Sequence, residues 1–113
     1  MEDREPIIGI DLGTTNSVVA TIQAGAPVVI RGRSGTTLFP SVVALSKAGK
    51  LLVGSIAKRQ AITNPTDTVY ASKRLIGRKF SAAQTQEAIR ALPYVVEPGA
   101  HDDIRLKLGD KRF

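Results

Sequence analysis

The sequence predicts an α/β protein, with strands leading and helices following. Three observations carry that reading. Residues 7–31 hold three short apolar runs, rich in β-branched residues and parted by turns of small residues. Two later stretches, 54–65 and 81–93, carry helix start and stop signals. The length, 113 residues, is one domain's worth and enough to bury roughly two-thirds of the unfolded surface.

Residues 1–6 are polar and expected to fray. IIGIDL (7–12) is apolar on both faces up to Asp11, the pattern of a central strand rather than a solvent-facing one. GTTN turns the chain, SVVATIQ returns as a second strand, AGAP turns again and VVIRG is a third, so residues 7–31 form a β-meander. GRSGTTLFPS is a loop punctuated by Gly32, Gly35 and Pro40. SVVALS, the turn KAGK and LLVG make a further strand pair. GSIAKRQAITNP reads as a helix with Ser55 at its N-cap, ended by Asn64-Pro65. The stretch 66–80 is irregular, with one short turn bounded by Gly77. SAAQTQEAIRALP is the clearest helix: Ser81 and Gln84 fit a capping box, Pro93 stops it, and Ala88, Ile89 and Leu92 make a thin apolar face. YVVEP and DIRLKLG close the chain as short strands, with no helix cap after GDKR.

The chain has no cysteine, which removes disulfides, thiol catalysis and cysteine metal sites and suits a reducing cytoplasm. The amino terminus lacks the basic segment and long apolar core of a secretory signal, and no apolar run is long enough to span a membrane. The net charge is +6, from 16 Lys and Arg against 10 Asp and Glu. Lys58, Arg59, Lys73, Arg74, Arg78 and Lys79 could form a nucleic-acid patch, but no aromatic is interleaved with them as a stacking platform, so a solvated face is the better reading. His101, beside Asp102 and Asp103, lacks convergent ligands and reads as surface loop. No serine, Ser17 and Ser41 included, has an identifiable base, and no nucleophile is proposed.

Asp11 is the residue that demands an explanation. A carboxylate closing an apolar strand needs a cation, a ring of donors or water. Gly13 admits close backbone approach, and the N–H groups of Gly13, Thr14, Thr15 and Asn16 could converge on an anion. Strand–Asp–Gly–Thr–Thr–strand therefore suits a phosphate-cradling hairpin with a magnesium-side carboxylate. It also suits an ordinary hairpin with an Asx turn at Asp11, a common device in all-β domains. It is not a Walker loop, since no G-x-x-x-x-G-K-[ST] pattern occurs. Lys73, in YASKRLIG, could neutralise charge during phosphoryl transfer, or be one more solvated lysine.

IIGIDLGTTNSVVA closely resembles the first phosphate-binding motif of the DnaK-type heat-shock chaperones (the heat-shock protein 70 family), members of the actin and sugar-kinase ATPase superfamily. VGSIAKRQAITNPTDTVYASKRLIGRKF resembles the family stretch that carries its catalytic lysine, and FPSVVAL is similar to the loop and strand between the two. The resemblance runs from about residue 7 to 113. It implies a mixed sheet of ribonuclease-H-like, actin-like type, the first part of lobe I, over residues 1–39. A small outer α/β subdomain follows over 40–113, and the two make a single incomplete domain. It also implies that Asp11 meets the shell of a magnesium ion through water, that Gly13, Thr14, Thr15 and Asn16 wrap the β- and γ-phosphates of ATP or ADP, and that Lys73 helps place the attacking water.

The implied parent is a stress-response chaperone that hydrolyses ATP to bind and release unfolded client peptides, with a J-domain co-chaperone and a nucleotide-exchange factor. Cytoplasmic location and no membrane or nucleic-acid partner are expected. The second phosphate hairpin, adenosine motif, catalytic glutamate region, linker and peptide-binding domain of such a parent are not found in these residues. The chain is therefore expected to be an amino-terminal piece, inactive as an ATPase alone and prone to self-association through cut sheet edges. Two departures stand out: Leu38 and Phe39 separate Thr37 from Pro40, and Val18 occupies a position often held by cysteine in bacterial relatives. A sugar or carboxylate kinase of the same superfamily and a basic nucleic-acid-binding module are the rival readings.

Overall fold

The computed structural model describes residues 5–113, so part of the frayed segment expected at 1–6 lies outside the described residues. The opening meander forms as expected: β1 (Ile8–Leu12), β2 (Asn16–Gln23) and β3 (Ala26–Val29) pair in sequence order. A two-residue strand, β4 (Phe39–Pro40), joins β2 beside the first hairpin. The register sets Ile8 opposite Thr21 and Leu12 opposite Ser17, so the connection lies at Gly13–Thr15. The second turn needs positive φ at Ala24 and Gly25, which glycine adopts freely and alanine does not.

The chain then builds a second unit around β5 (Val42–Leu45). β6 (Leu51–Val53) and β7 (Thr68–Tyr70) flank β5 in the order β6-β5-β7. β5 is apolar at every position, and both its faces are covered. One face sends Val42 and Ala44 against Ala57 of α1 (Ser55–Gln60), with Leu52 beside them. From the other, Val43 and Leu45 join Val69, Tyr94 and Leu108. The third sheet completes this second cluster. It consists of β8 (Val96–Pro98), β9 (Ile104–Leu108) and β10 (Lys111–Arg112), in the order β10-β9-β8. Side chains lock α1 to the sheet: Gln60 Nε2 donates to the Leu45 carbonyl at 2.8 Å, as does Asn64 Nδ2 at 3.2 Å.

Several expectations need correction. Every pairing among the described residues is antiparallel, so these residues hold no mixed sheet, although helices and strands both form. β1, expected as a central strand, lies at a sheet edge and is exposed at all five positions. α1 is capped by Gly54 rather than Ser55, because its φ of 80° suits glycine, and it ends at Gln60 rather than Asn64. α2 (Ala83–Arg90) starts after Ala82, without a capping box. Ser81 is drawn away: its Oγ donates to Asp102 Oδ2 at 2.5 Å, a charge-assisted bond stronger than a cap. α2 stops before Pro93, and its one fully buried residue is Thr85, not a member of the apolar face.

The Cα radius of gyration is 17.0 Å and the extents are 53 × 31 × 22 Å. A compact chain of this length would measure about 13 Å. The accessible surface, 8296 Å², likewise exceeds the roughly 6,000 Å² of a monomer of this mass.

Candidate functional site

The first hairpin is held by hydroxyls from outside it. Ser41 Oγ donates to the Gly13 carbonyl at 2.7 Å. A hydroxyl carries one proton, so the 2.8 Å contact between Ser17 Oγ and Ser41 Oγ has Ser17 as donor. The Ser41 amide donates to the Thr15 carbonyl at 2.9 Å. With the carbonyls of Gly13 and Thr15 taken, the N–H groups of Thr14 and Thr15 donate to nothing among the described residues. Gly13 is required for steric reasons: a Cβ there would collide with the Asn16 backbone oxygen.

Lys73 arrives from 61 residues away. Its Nζ donates to the Leu12 carbonyl at 2.6 Å. Its position depends on the short turn Ser72–Arg74, entered through Ala71 in the left-handed region at φ 55°. Upstream, Tyr94 Oη donates to the Tyr70 carbonyl at 2.5 Å and fixes the strand end from which that turn departs. Burial, then the Tyr70 ring beside it, push the Tyr94 phenol up to about 12, against a smaller opposing pull from Arg74.

Two hollows meet at Thr14, Ser41 and Val42. One, of ≈ 360 Å³, is lined by Gly13, Thr14, Ser17, Ser41, Ser72 and Lys73, among others. The other, of ≈ 370 Å³, is lined by Thr14, Thr15, Ser41, Lys58, Tyr70 and Arg74, among others. A larger hollow, ≈ 500 Å³, lies elsewhere, between the 72–79 turn region and β9, and none of the expected nucleotide residues lines it.

Of the expected site residues, Gly13, Thr14 and Lys73 share one hollow and Thr15 lines its neighbour. Asp11 and Asn16 line neither: Asn16 is exposed and paired across to Pro40, and Asp11 is exposed on β1. An unpaired Asp11 carboxylate would be costly only on a covered strand. At a sheet edge with nothing packed on it, the carboxylate meets water instead. For Ser17 and Ser41 the sequence offers no base and no nucleophilic role. Their hairpin-bracing role depends on contacts 24 and 28 residues apart, which no local pattern announces.

The residues present fit a magnesium–polyphosphate. Thr14 and Thr15 offer free N–H donors and hydroxyls, the missing Cβ of Gly13 admits the Asn16 carbonyl that shapes the turn, and an ammonium stands beside the turn. No cluster of three or more His, Asp or Glu occurs among the described residues, so Asp11 could hold a metal only as a single carboxylate, with waters and ligand oxygens completing the shell.

Comparison with known proteins gives two findings. A family model described as "Hsp70 protein" matches residues 7–113. A protein named "Heat shock 70 kDa protein, mitochondrial", from Solanum tuberosum, is 48% identical over 107 residues, covering 95% of this chain and 16% of the relative. The chain thus spans about a sixth of that relative's length. Neither finding supports the sugar-kinase or nucleic-acid readings. No described helix is long and apolar enough to cross a membrane. The relative's name places that protein in mitochondria, so the cytoplasmic expectation gains no support.

Proposed function

The chain belongs to the Hsp70 family, and from that premise we propose that it forms one wall of the nucleotide cleft of an ATP-driven chaperone. The observation that carries the reading is the Lys73 ammonium held on the Leu12 carbonyl, at the mouth of the Gly13–Asn16 turn. Two segments far apart in sequence are thereby joined at the point where phosphates would lie.

In this reading the free N–H groups and hydroxyls of Thr14 and Thr15 bind phosphate oxygens, and Gly13 lets the backbone close on them. Asp11 would help hold magnesium through its water shell, and Asn16 would close the turn. Magnesium supplies charge neutralisation to the phosphates when bound. Lys73 retains two further N–H donors beyond the one on Leu12, and these orient the attacking water and offset charge at the γ-phosphate. Residues 1–39 act as the phosphate-binding part and 40–113 as an outer subdomain. Binding and release of unfolded peptides, and service by a J-domain co-chaperone and an exchange factor, belong to the whole protein.

The test replaces the matching segment of a full-length Hsp70 with residues 7–113 and follows single-turnover ATP hydrolysis. Lys73→Ala should slow hydrolysis by about 10²–10³ while magnesium-ATP still binds. An unchanged rate would remove Lys73 from the mechanism. The 113-residue chain by itself should release no phosphate from ATP, because a single wall cannot surround the nucleotide. Steady release that vanishes in Asp11→Asn would overturn that expectation.

A further inference from the structure

We propose that Ser41 is a positioning residue of the phosphate turn: by holding the Gly13 carbonyl, its hydroxyl keeps the Thr14 N–H aimed at a bound phosphate. This rests on the nucleotide reading above. Among the described residues, every hydrogen bond that reaches residues 12–15 from beyond β1 and β2 ends on a carbonyl. Lys73 Nζ donates to Leu12 at 2.6 Å, Ser41 Oγ to Gly13 at 2.7 Å, and the Ser41 amide to Thr15 at 2.9 Å. The N–H groups of Thr14 and Thr15 stay unspent. A turn with its acceptors taken and its donors free suits an anion.

Peptide geometry converts a held carbonyl into an aimed donor. The Gly13 C=O and the Thr14 N–H belong to one planar trans unit and point in opposite directions. Fixing the oxygen on Ser41 therefore fixes the proton on the far side. Gly13 makes that hold necessary. A Cβ there would collide with the Asn16 oxygen, and glycine rotates more freely than any other residue. Were this unit to turn over, an oxygen would stand where the N–H had been and repel a phosphate. The Ser41 proton is directed to Gly13, because Ser17 Oγ, at 2.8 Å, donates to the Ser41 oxygen. The Ser41 backbone is fixed on both sides. Before it, Phe39 and Pro40 pair with Ser17 and Asn16; after it, Val42 opens β5 and is 7% exposed. Both hollows beside the turn are lined by Ser41 and Thr14 together.

The experiment uses the full-length Hsp70 carrying residues 7–113, with Ser41→Ala and Ser41→Thr. Ser41→Ala keeps the amide bond to Thr15 and removes the bond to Gly13. In the ligand-free protein the Gly13 carbonyl carbon resonance should move in Ser41→Ala and return in Ser41→Thr, which restores the hydroxyl. The ratio of magnesium-ATP to AMP affinity should fall about tenfold in Ser41→Ala, since AMP lacks the β- and γ-phosphates, and recover in Ser41→Thr. Equal losses for ATP and AMP would mean a purely structural role and overturn the proposal. So would an unmoved Gly13 resonance, or a Ser41→Thr protein as weak as Ser41→Ala. Tight magnesium-ATP binding indifferent to Ser41→Ala would overturn this proposal and spare the nucleotide reading. A protein that binds no magnesium-ATP even with Ser41 in place would overturn both.

Discussion

The Lys73 ammonium does not find Leu12 by its own flexibility. Tyr94, 3% exposed, holds the Tyr70 carbonyl; Tyr70 leads into the left-handed Ala71; and Ala71 opens the turn that bears the lysine. Tyr94→Phe removes the hydroxyl and strands that carbonyl, which should cost about 1–2 kcal/mol in urea unfolding. It should also loosen Lys73, seen as broadened resonances at Ser72–Arg74. The same phenol sets an alkaline limit. Its ionisation is harder in the fold than in the unfolded chain, so its contribution is complete below pH 10 and lost as pH rises from there through about 12. Thermal melts across that window should show the fall, and Tyr94→Phe should flatten it. At Gly13, adding one methyl group should force the turn off the Asn16 carbonyl. Gly13→Ala should then abolish nucleotide-induced shifts at Thr14 and Thr15 while β5 and its neighbours stay folded.

At the scale of elements, the hairpins were legible because their signals are local: β-branched runs end at small-residue turns, and β1, β2, β3, β5 and β6 all appear in the expected stretches. The caps were less legible. Ser55 and Ser81 have the right chemistry, but Gly54 owns the positive φ that starts α1, and Asp102, 21 residues from Ser81, outbids the cap. Gly54→Ala should therefore destabilise the chain by about 1–2 kcal/mol, an effect Ser55→Ala should not reproduce. β1 was read correctly in composition and incorrectly in place, since a strand's sequence states what cover it suits and not whether that cover is present. Of the candidate site, Gly13 through Asn16 were visible as a motif, and Lys73 only through a resemblance. The bracing by Ser17 and Ser41 was invisible, because tertiary contact alone creates it.

For the molecule as a whole, the two tight clusters both lie between Val42 and Leu108, while the opening sheet, half-buried along β2, contributes no fully buried residue. The chain belongs to the Hsp70 family and spans 16% of the length of the relative it matches. The 53 Å long axis has a hydrodynamic consequence. An elongated particle drags more solvent than a sphere of equal mass, so a single chain should leave a sizing column early and diffuse like a heavier globule. Elution volume would then imitate association where there is none. Small-angle scattering of the dilute chain should return a radius of gyration near 17.0 Å, and the shape of its distance distribution, with a tail reaching toward the long axis, separates a lone rod from a pair.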